Sequence, residues 1–402
     1  MRGTFVALIC FCFTGVSFSA FGEANFSGYL KNYSVMQEPI DNALLNFDRS
    51  YKMQNSGRFM LDIFNDNQVW QLHYEIGLES NSRFLANAPS LSAPTRQNYR
   101  LTDLSQTIGP SDKKNYALQN MDRFNVQFQF ESGDLTIGRQ AITFGSARII
   151  NPTDVFLPFD VRTLNTEYRT GIDALRFQKP MGQLGELDLG VILGPDGNPE
   201  NSAAFLQLLA NASGSDYQFT AIRFADQTLL GAGVQSAFGV FGFWLEAAYV
   251  SGDDNYTRAS IGMDYAFSER VFGMIEYHLN GAGSSDPDNY LTQFDDTAYT
   301  AGGVFLLGTS YLIPSISWQA STLLTLSLTS LTNLDDSSAF LNLSADYSLS
   351  DNLYMGMGYH HFTGPDFNAF PNASTSIQNQ LQLGSEYGSN PNSVYVSLRY
   401  YF

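Results

Sequence analysis

The feature that most constrains this chain is a two-residue alternation that recurs along its length and holds to the final residue. In the closing stretch SVYVSLRYYF, residues 393–402, Val394, Val396, Leu398, Tyr400 and Phe402 share one parity, while Tyr395, Ser397, Arg399 and Tyr401 share the other. The same pattern sets Trp70, Leu72, Tyr74, Ile76 and Leu78 against Gln71, His73, Glu75 and Glu79. It sets Phe124, Val126, Phe128 and Phe130 against Arg123, Asn125, Gln127 and Gln129, and it returns over 341–349 and 353–360. A helix has a period of 3.6 and cannot present such faces, whereas a strand must. A soluble sandwich also alternates, but here the polar face is large and charged and the apolar face is rich in aromatics. That combination suits a barrel with lipid outside and water inside.

A chain terminus normally frays, because ordering it gains nothing. A terminal strand that keeps its pattern must be paired, and in lipid an unpaired strand edge is prohibitively costly. The closing stretch is therefore expected to hydrogen-bond to the first strand near NFSGYLKNYSV, and the terminal Phe402 resembles the assembly signal of outer-membrane proteins.

The start of the chain fits that setting. MRGTFVALICFCFTGVSFSAFGEA carries one early positive charge, Arg2, an apolar run from Phe5 to Val16, and small residues at Ala20, Gly22 and Ala24. This reads as a secretory signal peptide over 1–24, cut after residue 22 or 24, and the run is too short to serve as a membrane anchor. Both cysteines, Cys10 and Cys12, lie inside it, so the mature chain has no disulfide, thiolate metal site or thiol chemistry. Residues 25–402 are expected to form one domain. Charged residues make up only 15% and aromatic residues 14%, a balance that departs from a soluble multidomain enzyme. Removing the leader takes away one basic residue, Arg2, and one acidic residue, Glu23, so the net charge stays at −18, which argues against nucleic acid as a partner.

The connections fall into two classes. Short ones include NDN (65–67), SGD (132–134), GQLGE (182–186), SER (268–270) and LSDN (349–352); long ones include 82–118, 144–168, 281–307 and 364–392. Short periplasmic turns and long external loops are the habit of outer-membrane barrels. Strands starting near 25, 51, 68, 120, 134, 168, 185, 202, 216, 228, 240, 256, 270, 308, 321, 338, 352 and 393 make eighteen, an even number with both termini on the periplasmic side. If SAAFLQLLANAS were a helix within a loop, the count would be sixteen.

The most unusual stretch is residues 135–177. It holds Arg139, Arg148, Arg162, Arg169 and Arg176, interleaved with Asp154, Asp160, Glu167 and Asp173. Its middle part, NPTDVFLPFD, has the prolines and Asx residues of turns and is too apolar for a fully solvated loop. The segment 144–168 is therefore expected to fold inward and narrow the lumen. There, arginines facing carboxylates would set up a transverse field, unless they simply pair with one another within the wall. Arg123, Glu75, Glu276 and Arg399 are further lumen-facing candidates. His73, His278 and His360 share the lumenal parity and His361 the lipid parity, but all four lack the spacing of ligand pairs, so no metal site is expected. The acidic run 283–296 lacks the ordered spacing of a calcium loop. No cofactor is expected.

Several phrases together, GRQAITFGSARIINPTDVF, YRTGIDALRF, LLTLSLTSLTNLDDSSAFLNLSADYSLSDNL and VYVSLRYYF, resemble alginate-export-type porins of Gram-negative outer membranes. The resemblance spreads over most of the mature chain. It implies an eighteen-stranded barrel that conducts solutes without an energy source, with Arg139, Arg148, Arg162, Arg169 and Arg176 as the matching lumenal arginines. Polyuronate exporters of that group carry a long periplasmic loop that plugs the pore, and no periplasmic turn here is long enough for one. The expectation is thus a multi-pass outer-membrane porin, exported by the general secretory route, that passes small anions, sugars or acidic oligosaccharides. Export of an exopolysaccharide is the alternative. An outer-membrane hydrolase would have to draw on His360 or His361 with Asp366 or Ser344, whose spacing enforces no catalytic hydrogen bond, so no enzymatic activity is expected. Outer-membrane lipid and lipopolysaccharide, the barrel assembly machinery and a small hydrophilic solute are the expected partners, for a monomer or a homotrimer.

Overall fold

The computed structural model describes residues 22–41, 46–81, 99–102, 106–108, 115–156, 158, 160–165, 167–198, 201–252, 255–366, 368–369 and 381–402. Of the expected signal peptide, residues 1–21 lie outside these, and Glu23 and Ala24 already belong to the first strand.

Eighteen strands form the wall. They are β1 (Glu23–Gln37), β2 (Ser50–Asn65), β3 (Gln68–Asn81), β4 (Asn115–Phe130), β5 (Gly133–Gln140), β6 (Ile172–Met181), β7 (Gly185–Ile192), β8 (Ala203–Ala212) and β9 (Ser215–Phe224). β10 (Gln227–Phe238), β11 (Phe241–Ser251), β12 (Tyr256–Ser268), β13 (Val271–Asn280), β14 (Ser310–Gln319), β15 (Leu324–Asn333), β16 (Ala339–Ser350), β17 (Leu353–Thr363) and β18 (Ser393–Tyr401) complete it. Each pairs antiparallel with its sequence neighbours, and β18 pairs with both β17 and β1, so the sheet closes on itself. A short extra strand, Gln106–Ile108, adds to the wall beside β4.

The eighteen-strand layout holds, including the stretch SAAFLQLLANAS. Its Ala and Leu favour a helix locally, but β8 pairs in unbroken register with β7 and β9. Alternate residues such as Leu206 face outward while Phe205 and Gln207 are buried inside, so tertiary context overrides propensity. Two strand starts differ from expectation by four residues or more. β6 begins at Ile172 instead of 168, because Tyr168 and its neighbours still belong to the lumenal segment. β4 begins at Asn115 instead of 120, because a bulge at Asp122 breaks the alternation that would reveal the extra residues.

At one end the connections run no longer than four residues, as at 66–67, 213–214 and 320–323; at the other they include 82–114, 141–171, 281–309 and 364–392. At Ser213–Gly214 both residues have left-handed φ, 54° and 77°, the conformation whose twist matches two flanking strands. The outer face is apolar: Phe124, Leu343, Val396 and Leu398 are exposed there, while Ser397 and Tyr395 between them are buried. Inside the long-loop half two apolar clusters form, with Phe144, Phe156, Tyr256 and Tyr290 in one and Ile149, Ile150, Tyr311 and Phe340 in the other.

Closure is made by the last residue. Gly28 N donates to the Phe402 carbonyl at 2.9 Å, and Phe402 N donates to the Gly28 carbonyl at 3.1 Å. The Phe402 ring lies 5.9 Å from Phe26, 6.2 Å from Phe59 and 6.2 Å from Tyr400. A Cβ on Gly28 would stand 2.3 Å from the Arg58 carbonyl oxygen and 2.6 Å from the Phe402 ring, so only glycine admits this approach. Phe402→Ala should weaken the seam by about 1–3 kcal/mol, the worth of two or three aromatic contacts. Gly28→Val should do more. Both are read as a smaller folded fraction by heat-dependent gel mobility after refolding into detergent.

Candidate pore constriction

Residues 141–171 lie between two strands yet carry no two-residue alternation, so they cannot extend the wall. The chain turns inward after Gln140, where Ile142 and Phe144 bury against Phe156 and Phe205. Gly145 has φ 129°, and a Cβ there would strike the Asn151 side chain at 2.1 Å; glycine lets the chain double back.

Two buried wall carboxylates then hold the segment through its own backbone. Glu246 on β11 accepts from Ser146 N at 2.5 Å and Ala147 N at 2.8 Å on one oxygen, and from Thr153 N at 2.8 Å and Thr153 Oγ1 at 2.7 Å on the other. Glu276 on β13 accepts from Arg148 N at 3.1 Å, Ile149 N at 3.2 Å and Ile150 N at 2.8 Å, and also from Trp244 Nε1 at 2.8 Å. Ser260 Oγ donates to the Ile150 carbonyl at 2.6 Å, and Arg258 Nη1 to the Pro152 carbonyl at 3.3 Å. An extended run of amides that no strand can satisfy is thus satisfied by carboxylates, the strongest acceptors available.

The second half of the segment reaches a different part of the wall. Glu167 accepts from Lys31 Nζ on β1 at 2.7 Å and from the Tyr401 hydroxyl on β18. The Tyr168 ring stacks on Tyr29 at 5.6 Å and lies 4.4 Å from the Arg58 guanidinium. Gly171 N donates to Asp122 at 2.8 Å before β6 begins. The segment therefore spans the lumen between β11–β13 and the β18–β1–β2 seam.

Asp122 is the hub of the return. The bulge turns both Asp122 and Arg123 inward, and the buried Asp122 carboxylate meets Arg58, Arg123 Nη1 at 2.6 Å and Arg100 Nη2 at 3.7 Å. Arg123 Nη2 also donates to the Arg169 carbonyl at 2.5 Å, leaving the half-buried Arg169 beside this hub. Glu75 accepts from Ser56 Oγ at 2.8 Å and lies 3.9 Å from Arg58.

The remaining candidates divide by partner. Arg139 is 3% exposed and grips Asp173 with two bonds, at 2.8 and 2.9 Å, while its third nitrogen donates to the Met121 carbonyl at 3.0 Å. In register Arg139 stands opposite both Phe124 and Asp173. Directly paired residues share a face, and Phe124 points outward, so this ion pair sits on the outer side of the wall beneath residues 101–102. Arg176 forms a fork with Asp188, at 2.6 and 3.0 Å, across β6 and β7. Arg162 forms one with Asp160 inside the segment, and Asp154 of the same segment is buried.

Arg148 is different. Its side chain is 53% exposed, 3.6 Å from Asp264 and over the Trp244 ring at 5.7 Å. Together with Ile149, Val161, Thr163 and Leu164 it forms the segment's side of a cavity of about 400 Å³. The opposite side belongs to β15–β18 and β1, where Asn342, Asp346, His360, Tyr395, Ser397, Arg399 and Tyr33 line it. Arg399 pairs with Asp346, whose carboxylate is half exposed. The charged groups that face this space are therefore Arg148 on one side and Arg399 with Asp346 on the other.

Of the residues picked from the sequence, the structure brings Arg148 and Arg399 to one cavity, and Arg123, Arg169 and Glu75 to the Asp122 hub; Glu276 is an anchor of the segment. Sequence reasoning missed Glu246, Asp122, Lys31, Arg58 and Asp346 as working groups. Asp122 had a signal, since two adjacent charged residues interrupt an alternating strand. The histidines stay apart: His73 Nε2 lies 3.2 Å from Asp62, His278 Nδ1 2.8 Å from Ser260, and His361 Nδ1 3.0 Å from Asn392, while His360 packs against Phe340 and Tyr395. Asp366 accepts from Ser389 Oγ at 2.9 Å. Among the described residues no three metal-ligating side chains cluster.

No protein-family model matches the chain, and no curated protein sequence does. Solved structures do. A crystal structure of a double variant of OccD1 (OprD) superimposes with a TM-score of 0.56 at 11% identity, over 95% of this chain and 96% of that one. Acinetobacter baumannii OccAB1 gives 0.59 at 9%, over 95% and 97%. Pseudomonas aeruginosa OccK5 (OpdH) gives 0.56 at 9%, over 94% and 98%. The fold is the outer-membrane porin barrel. At such identity the likeness concerns the wall and its topology, and the lumenal chemistry has to be read from this chain's own residues.

Glu246→Ala leaves three amides and two hydroxyls of the segment without their acceptor, at about 1–3 kcal/mol for each one that stays buried. The segment should detach, so limited proteolysis should cut near 146–153 and single-channel current should become larger and noisier than in the parent protein.

Proposed function

We propose that this protein is an outer-membrane porin through which small hydrophilic solutes (anions, sugars or acidic oligosaccharides) diffuse passively. The observation that carries the reading is the polar cavity left between the inward-folded segment and the wall, with Arg148 facing Arg399 and Asp346 inside a closed barrel. Charges of both signs across a narrow passage act on a passing solute through a field that bulk water would otherwise screen. The mature protein, freed of its leader, sits in a Gram-negative outer membrane with its short turns toward the periplasm.

Within that reading the constriction charges are assigned to Arg148, Arg399 and Asp346. Arg139, Arg162 and Arg176 act as clamps: each spends its fork on a carboxylate next to it. The resemblance to alginate-export-type porins is proposed at the level of a shared barrel plan. Among the described residues the turns at the periplasmic end run to four residues at most, too short for a plugging loop, which favours a general or carbohydrate-type channel over a polyuronate exporter.

Single-channel recording under a salt gradient tests the assignment. The parent protein should give stable ohmic steps. Arg148→Ala and Arg399→Ala should each move the reversal potential toward cations, changing the permeability ratio by roughly fivefold, the effect of about 1 kcal/mol between charges near contact in water. Arg139→Ala should lower stability and leave the ion preference where it was. An unchanged potential in the first two variants, or a shift in the third, would remove the proposed eyelet; no conductance at all would remove the porin.

A further inference from the structure

The lumenal wall is chemically lopsided. β14 and β15 contain no Asp, Glu, Lys or Arg. In β16, β17 and β18 together only Asp346 and Arg399 are charged, and they pair with each other. The inward positions of β14 and β15 carry Ser315, Ser317, Thr325, Ser327 and Thr329, on the same parity as the buried Tyr311, Ile313, Leu331 and Asn333. These hydroxyls are half-buried and touch one another: Ser315 Oγ is 2.8 Å from Thr329 Oγ1, and Ser327 Oγ donates to Ser317 Oγ at 3.4 Å. The column starts at Thr329 in the constriction cavity and runs to the short-turn end. The lumenal side of β1–β4 is the opposite in character, with Lys31, Arg58, Asp62, Glu75 and Arg123.

A hydroxyl is donor and acceptor at once and rotates to suit its partner. A column of them can exchange hydrogen bonds with a hydroxylated solute in many orientations and makes no selection by charge. A charged wall instead sorts solutes by sign. Tyr33 on β1 and Tyr395 on β18, which line the cavity where this column starts, add aromatic rings with polar tips, the amphipathic surface that suits a molecule with both C–H and O–H faces. We infer that the β14–β15 sector is a saccharide track, and that the solute for which this channel is shaped is a sugar instead of an amino acid or a simple organic anion. This rests on the porin reading above.

The test uses the full mature chain in proteoliposomes, with swelling rates for glucose against neutral and anionic amino acids of similar size. Glucose should enter roughly two- to tenfold faster, the weight of about one net hydrogen bond. A variant carrying Ser315→Ala, Ser317→Ala and Ser327→Ala changes only column residues outside the constriction cavity and keeps the side-chain volumes nearly constant. It should lose that preference while its KCl conductance, which reports a folded and open barrel, stays at the parent value. Equal swelling rates in the parent protein, or a preference that survives in the variant, would overturn the saccharide track and leave the porin standing. Absence of KCl conductance in the parent would overturn both.

Discussion

The structure depends on two carboxylates that accept hydrogen bonds from backbone amides. A barrel wall satisfies its own strands, but a segment that leaves the wall and crosses the lumen carries donors with no ladder to join. Glu246 and Glu276 supply the missing acceptors, and they do so from neighbouring inward positions two strands apart, on β11 and β13. Their cost of burial is met by several donors each. Because the bonds run to main chain, the side chains of the segment stay free for other work, and Arg148 is the one that turns its charge to the cavity.

The same rule explains why most of the arginines do not face that cavity. A buried guanidinium is stable when its fork is filled, whichever side of the wall it lies on, and Arg139, Arg162 and Arg176 each have a carboxylate within a few residues or across one strand pair. The Asp122 hub is a denser version, with three arginines sharing one buried anion and a backbone amide. Only a minority of charge is left exposed by this pairing, and Arg148 carries part of it.

Much of the wall was readable from sequence because burial in a barrel is periodic. Val394, Val396 and Leu398 could face only lipid if Tyr395 and Ser397 faced in, and every strand start but two fell close to its place. The lumenal segment was readable for the converse reason: Pro152, Pro158 and the Asx residues around them break the alternation. The site itself was less legible. Parity assigns a face only within an unbroken strand, so the bulge at Asp122 hid the upper part of β4; Arg139, expected in the lumen with the other arginines of its stretch, shares the parity of Leu135 and Ile137, and the ladder register sets it on the outer face. Partners such as Glu246 for Ser146 lie about a hundred residues apart, a distance that no local pattern encodes.

The contacts of Glu167 have a consequence for how the molecule comes into being. This residue joins Lys31, 136 positions earlier, and Tyr401, 234 positions later, one on each side of the seam between first and last strands. Contacts so distant in sequence form late, after the loop-closure entropy between them has been met. The inner segment can therefore dock fully only once the seam has zipped. Its docking reports the last step of assembly, and a barrel whose inner segment is in place is by that fact a barrel that has closed.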